Sequence, residues 1–109
     1  MSEPTNGFAC AAGDQDFTAT AYRDGKGARR VTVTGTCACQ TSGFKLKLEL
    51  VSPPIVPDEL HVNLEEVKPT GIVTQVITPT DVEGTFDIGD EVERVVIRNR
   101  NITVLIKEG

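Results

Sequence analysis

Between Val31 and Leu50 the chain alternates apolar with polar residues, and this alternation constrains the fold more than any other feature of the sequence. The apolar set before residues 40–43 is Val31, Val33, Gly35, Cys37 and Cys39, and after them it is Phe44, Leu46, Leu48 and Leu50. The other set consists mostly of threonine, lysine and glutamate. A period of two is typical of strands with one buried face, so the segment predicts two strands and no helix.

Residues 40–43, with the sequence Gln-Thr-Ser-Gly, lie between these two strands and favour a turn. If the chain reverses there, Cys39 lies opposite Phe44 and Val33 lies opposite Leu50, so that inward residues meet inward residues. A register on which turn and pattern agree favours an antiparallel hairpin. The sequence therefore predicts that the two strands pair directly with each other.

The C-terminal residues predict a second hairpin around a two-residue loop, Asn99–Arg100, because asparagine accepts the positive φ of such turns. The register that follows is Arg98 with Asn101, Ile97 with Ile102, and Val95 with Val104. Further strands are predicted from the same alternation or from β-branched residues, at 17–23, 60–65, 72–78 and 82–88.

Seven or eight short strands separated by turn residues predict an all-β fold. We expect an immunoglobulin-like β-sandwich of seven to eight antiparallel strands, with a small partly open β-barrel as the alternative. The chain has no tryptophan, so the Cys…Trp…Cys core of antibody domains is absent. A length of 109 residues predicts one domain. We expect it to span residues 16–109, after a flexible N-terminal arm of residues 1–15.

Charge and composition argue against several classes of partner. The net charge of −5 repels phosphate backbones and anionic lipids, so we expect neither nucleic acid nor a membrane as partner. Four phenylalanines and one tyrosine are too few for a surface that stacks bases or sugars. No basic segment followed by an apolar one marks a secretory signal near the start. We therefore expect a soluble, cytoplasmic protein.

The three cysteines, Cys10, Cys37 and Cys39, leave three interpretations open. Cys37 and Cys39 lie two residues apart on the inward face, where buried thiols act as small apolar side chains, and this interpretation is favoured. Alternatively, Cys10 forms a disulfide with one of them and pins the arm. Finally, the three with a fourth ligand could form a metal site, although structural zinc usually prefers C-x2-C spacing. On the favoured interpretation we expect no cofactor.

His61 is the only histidine and alternates with Asn63 and Glu65 on the polar side of its strand. We expect it to be solvated at the surface. A general base needs a partner within hydrogen-bond reach, and an enzyme that uses His61 with Glu65 or Glu66 is the weakest of the functional hypotheses. The chain contains no nucleophile or phosphate-loop motif. The sequence therefore predicts a protein without enzymatic activity.

The last hairpin predicts a binding surface. Leu105 falls on the outward side, close to Val96 on the paired strand, and an outward apolar residue either is covered or belongs to an interface. Arg94 and Arg98 complete this candidate surface. We expect a non-enzymatic protein-interaction or binding module, with a protein partner or self-association. The alternative is a thiol or metal-site protein that uses Cys10, Cys37 and Cys39.

Overall fold

The computed structural model describes residues 10–71 and 76–109, without the side chains of residues 52–55. Its strands are β1 (Cys10–Ala11), β2 (Phe17–Arg23), β3 (Arg29–Cys39), β4 (Lys45–Val56), β5 (Glu59–Val67), β6 (Thr78–Asp87), β7 (Arg94–Ile97) and β8 (Ile102–Glu108). The helical elements of the described residues are two 3-10 turns, Asp14–Asp16 and Arg98–Arg100. The predicted all-β fold is confirmed. None of the described residues belongs to a helix that is long and apolar enough to cross a membrane.

The strands form one open sheet in the order β6-β3-β2-β8-β7-β5-β4, and β1 shares with β2 one edge of β3. The prediction of purely antiparallel strands is wrong, because β2 pairs with β8 and β5 pairs with β7 in parallel. β8 has two partners: its beginning runs antiparallel to β7, and its end runs parallel to β2. We call β1, β2, β3 and β6 the first half of the sheet, and β4, β5 and β7 the second half.

Both halves contribute to a single hydrophobic core. Phe17, Val31 and Val33 come from the first half, and Leu60 and Val62 come from the second. These residues are the inward sets of their alternating strands, so the period of two predicts the buried face correctly. Burial of this apolar face is the main favourable contribution to folding.

The predicted hairpin between residues 31–39 and 44–50 is wrong. β3 has β1 and β2 on one edge and β6 on the other, so no edge is left for β4. β4 crosses to the other half of the sheet and pairs with β5. Leu50, expected in the core, is 52% exposed and lies where the β4–β5 register shifts.

The predicted C-terminal hairpin is confirmed in its register, since Val95 pairs with Val104 and Ile97 pairs with Ile102. Its loop is longer than expected and includes the 3-10 turn Arg98–Arg100. The left-handed conformation, with φ of 56°, falls on Asn101, which the sequence had paired with Arg98, and not within the predicted loop Asn99–Arg100.

The other predicted strands have three outcomes. The strand at 17–23 is confirmed as β2, and those at 60–65 and 82–88 lie mainly within β5 and β6. Of the predicted strand 72–78, residues 72–75 lie outside the described residues, and β6 begins at residue 78.

Candidate functional site

The outer face of β5, β7 and β8 carries most of the surface residues that the sequence singles out. Strand pairing places their side chains in two cross-strand rows that point away from the core. The rows are Glu59–Arg94–Leu105 and His61–Val96–Thr103. We call these six residues the β5–β8 face. Neighbours in such a row lie about 5 Å apart, close enough for side chains to contact.

A chain of charged contacts runs across this face. Arg94 Nη1 donates to Asp58 Oδ2 at 2.9 Å and to Glu59 Oε2 at 3.3 Å. The second oxygen of the Glu59 carboxylate lies 2.9 Å from Nε2 of His61. Arg94, which the sequence assigns to the binding surface, is therefore held by carboxylates of its own chain.

His61 corrects one expectation and weakens a hypothesis. Its side chain does lie on the outward side of β5, but it is only 14% exposed, because it is surrounded by its cross-strand neighbours. The carboxylate that it contacts is Glu59, and neither Glu65 nor Glu66 makes a contact with it that would support catalysis. Glu66 lies on the other side of β5 and contacts Arg100.

Leu105 is the most exposed large apolar side chain of the face, with 70% of its surface accessible. Val96 is half-buried between the two neighbouring strands. Arg98 is exposed in the 3-10 turn beyond β7. The structure thus brings Arg94, Val96 and Leu105 together and places Arg98 beyond the two rows, at the end of the hairpin.

The cysteines form a second cluster, which is buried in the core at the end of β3. Cys10 and Cys39 form a disulfide, and Cys37 is a free, buried thiol. This is the second of the three interpretations of the sequence. The favoured one, two buried thiols at Cys37 and Cys39, is wrong for Cys39, because Cys10 pairs with β3 directly opposite it. Residues 10 and 11 of the expected arm pair with β3, and residues 1–9 lie outside the described residues.

A buried ion pair holds the backbone of Cys10. The Cys10 N–H donates to Glu66 Oε2 at 2.9 Å, and the Cys10 carbonyl accepts a 2.5 Å hydrogen bond from Arg100 Nη1. Arg100 Nη2 also contacts Glu66 Oε2 at 2.5 Å. We call Cys10, Cys39, Glu66 and Arg100 the Cys10 joint. It connects β3 of the first half to β5 and to the β7–β8 turn.

Cys37 lies beside this joint, two residues before Cys39. Burial raises the pKa of the Cys37 thiol above its ordinary value, and Asp16 and Glu66 act in the same direction, while the positive charge of Arg100 opposes them. A thiol with a raised pKa is a poor nucleophile and a poor metal ligand at neutral pH. A metal site on Cys10, Cys37 and Cys39 would first require reduction of the disulfide. Among the described residues, no group of three His, Cys, Asp or Glu side chains is placed to hold a metal ion.

The outer face of the first half has a different surface. Its hydroxyl groups pair across strands, with Thr18 Oγ1 2.8 Å from Thr34 Oγ1 and Thr36 donating to Asp81 at 2.8 Å. A groove of about 620 Å3 runs over this face, beside the carboxylates of Asp16 and Glu83. The groove could not be predicted from the sequence, because its lining depends on the pairing of β3 with β6. No protein-family model, curated protein or solved structure matches this chain.

Proposed function

We propose that this protein is a non-enzymatic interaction module whose β5–β8 face binds a second copy of the chain. The observation that supports the proposal is Leu105, which is 70% exposed in the middle of an ordered strand. Interface energy concentrates in a few residues at the centre of a contact. An interface centred on Leu105 would include Arg94, opposite it in the register, and Val96 on the neighbouring strand.

The charges around Leu105 favour a second copy over a strongly charged partner. Arg94 is already compensated by Asp58 and Glu59, and Lys47 on β4 is paired with Glu49 at 2.7 Å. A partner of high opposite charge would have to compete with these intramolecular pairs. An identical face offers the exposed Leu105 beside an arginine that is already compensated, and two copies related by a twofold axis would bury both leucines.

For the scaffold we propose a two-layer arrangement, either the immunoglobulin-like sandwich or the partly open barrel expected from the sequence. The barrel has the stronger support. β8 continues the hydrogen bonding from one half to the other, and Gly84 of the edge strand β6 packs against Leu48 of β4. In both arrangements the β5–β8 face is a rigid surface, which suits a binding module. Fold alone does not give function, so the proposal depends on Leu105 and its neighbours.

The partners and compartment expected from the sequence stay predictions. The net charge of −5 supports a protein partner over nucleic acid or an anionic membrane. The Cys10–Cys39 disulfide argues against a cytoplasmic location, because disulfides persist mainly in oxidising compartments. In the cytoplasm, such a bridge is usually transient. Trapping of free thiols in intact cells, followed by mass spectrometry, would separate the two locations.

The test is sedimentation equilibrium of the wild-type protein and of Leu105→Glu over a wide range of concentrations. We expect a reversible wild-type dimer. The dissociation constant of the dimer should be at least about tenfold larger in the variant, because each copy would bury an unpaired carboxylate. The matched control is Leu50→Glu, which changes another exposed leucine on a different strand and should dimerise like the wild type. A wild-type protein that stays monomeric at all concentrations, or equal weakening by both substitutions, would rule out the proposed face.

A further inference from the structure

The Cys10 joint makes the disulfide more than a local crosslink. Cys39 lies at the end of β3 in the first half, whereas Glu66 and Arg100 belong to β5 and to the β7–β8 turn. The backbone of Cys10 is hydrogen-bonded to both members of that ion pair and is covalently bound, through its sulfur, to Cys39. The disulfide therefore connects the two halves of the sheet through one residue.

Besides the disulfide, β1 is held by its pairing with β3, by the burial of Cys10 in the core and by the hydrogen bonds of Cys10 to the ion pair. The strand consists of two residues, and its pairs with β3 are Cys10 with Cys39 and Ala11 with Ala38. The pairing of a two-residue strand adds little to the cost of opening, because few backbone hydrogen bonds must break. Without the covalent bond, separation of Cys10 from β3 and from the ion pair costs less, because only non-covalent contacts then oppose it.

The ion pair is sensitive to that separation. The side chains of Glu66 and Arg100 are only 10% and 6% exposed. The backbone of Cys10 supplies one donor and one acceptor to the pair. Departure of Cys10 removes these hydrogen bonds and admits water, which weakens a charge pair that a low-dielectric surrounding had strengthened.

We propose that the Cys10–Cys39 disulfide is a redox switch for the Cys10 joint, so that reduction by a dithiol loosens the contact between the two halves at this end of the sheet. In the balanced step, the dithiol is oxidised to its disulfide and transfers two electrons and two protons to the bridge. The Cys10–Cys39 S–S bond breaks, and each sulfur becomes a thiol. The second copy proposed above is not needed for this switch.

Cys37 keeps the switch in one oxidised form. It lies on the same face of β3 as Cys39 and is the internal thiol available to attack the bridge. Its side chain is fully buried, and its raised pKa keeps it protonated near neutral pH, so internal exchange is slow. Cys10 and Cys39 are themselves only 1% and 0% exposed, so an external dithiol reaches the bridge when β1 opens, and exchange with the protonated Cys37 does not compete.

The test is peptide-resolved hydrogen exchange of the full chain, oxidised and after reduction with dithiothreitol at neutral pH. We expect reduction to accelerate exchange at least tenfold at residues 10–12, at 64–67 and at 98–101, while residues 29–33 and 88–92 keep their protection. Acceleration confined to residues 10–12 would overturn the connection to the ion pair. Loss of protection along the whole chain would show that the bridge supports the entire fold and is not a switch.

Two variants distinguish the effect of the bridge on hydrogen exchange from that of the neighbouring Cys37 thiol. Cys10→Ser cannot form the bridge and should show the exchange pattern of the reduced wild type without any reductant. Cys37→Ser should form the bridge and match the oxidised wild type. A Cys37→Ser protein that exchanges like the reduced form would assign the effect to core packing and contradict the proposal.

Incubation in a glutathione buffer gives an independent result. A bridge that is reduced only in denaturant would also overturn the proposed switch.

Discussion

Two nearly buried arginines hold this molecule together at opposite ends of β3, about 33 Å apart along the strand. Arg100 organises the Cys10 joint, as described above. At the other end, Arg29 donates through Nη1 to the carbonyls of Gly89 at 2.7 Å and Val92 at 2.9 Å, and it forms an ion pair with Glu108. We call this second group the Arg29 joint. It connects β3 to the β6–β7 connection and to the end of β8.

The joints differ in the solvation of the carboxylate. The side chain of Glu66 is 10% exposed, whereas that of Glu108 is 67% exposed, although their arginines are similarly buried, at 6% and 9%. A solvated carboxylate loses little when its partner is removed, because water replaces the guanidinium. A buried carboxylate has no such replacement. The Cys10 joint therefore depends on its ion pair, and the Arg29 joint depends mainly on hydrogen bonds to backbone carbonyls.

The largest effect is expected for Arg100→Met. The substitution leaves the Glu66 carboxylate buried without its cation, and we expect the free energy of unfolding to fall by about 3–5 kcal/mol. Urea denaturation of the oxidised protein measures it. The double variant Glu66→Met with Arg100→Met should recover part of the loss, because two apolar side chains tolerate burial. A double variant that is no more stable than the single one would show that the carboxylate is not the source of the cost.

A smaller effect is expected for Arg29→Met. The substitution removes donors from two carbonyls and exposes Glu108 fully to water, and we expect a loss of about 1–3 kcal/mol. Glu108→Gln should change the stability by less than about 1 kcal/mol, because its ion pair is largely solvated. The same urea titration measures both variants. A loss for Glu108→Gln as large as that for Arg29→Met would place the strength of this joint in the ion pair and remove the distinction between the two joints.

The faces of the strands could be predicted from the sequence, but their neighbours could not. Val31, Val33, Leu60 and Val62 are buried as the period of two predicts. The same period cannot choose between partner strands, because any strand with a matching inward set satisfies it. The β7–β8 pairing was predictable since a short loop leaves few alternatives. The predicted four-residue connection after Cys39 was also short, yet both edges of β3 are taken by other strands.

The candidate sites were predictable to the same limited extent. Leu105 and Arg94 could be identified because outward position on a strand follows from parity. The Cys10 joint could not, because Cys10, Glu66 and Arg100 are distant in sequence and meet only after β5, the β7–β8 turn and β1 are placed. The burial of His61 was missed for a related reason. Parity gives the direction of its side chain, but not how far the neighbouring side chains of Glu59 and Val96 cover it.

A smaller effect is expected at alkaline pH from Cys37, which lies beside the Cys10 joint. Since the pKa of Cys37 is raised by burial, the native state keeps this thiol protonated at a pH at which the unfolded chain releases the proton. The stability that depends on the protonated Cys37 thiol is therefore fully present below the ordinary thiol pKa of 9.0. It is lost progressively as the pH rises through the raised native pKa. Urea unfolding of the oxidised protein from pH 8 upward should show this decline, and Cys37→Ser should lack it. An identical decline in both proteins would assign the alkaline sensitivity to other groups.

The smallest effect is expected at acid pH near the Arg29 joint, in the turn that precedes β3. The backbone N–H groups of Lys26 and Ala28 donate to the carboxylate of Asp24 at 2.8 and 3.0 Å and, with a smaller contribution from Arg30, lower its pKa below the ordinary 3.8. A lowered native pKa stabilises the fold above 3.8, and this contribution disappears as the pH falls through the native value. Asp24→Asn should therefore be slightly less stable than the wild type at neutral pH, and the two curves should converge in acid. Asp14→Asn, which changes an exposed carboxylate before β2, controls for the loss of one charge. Curves for Asp24→Asn and the wild type that stay parallel down to pH 2 would mean that the turn depends on the side-chain oxygen and not on its charge.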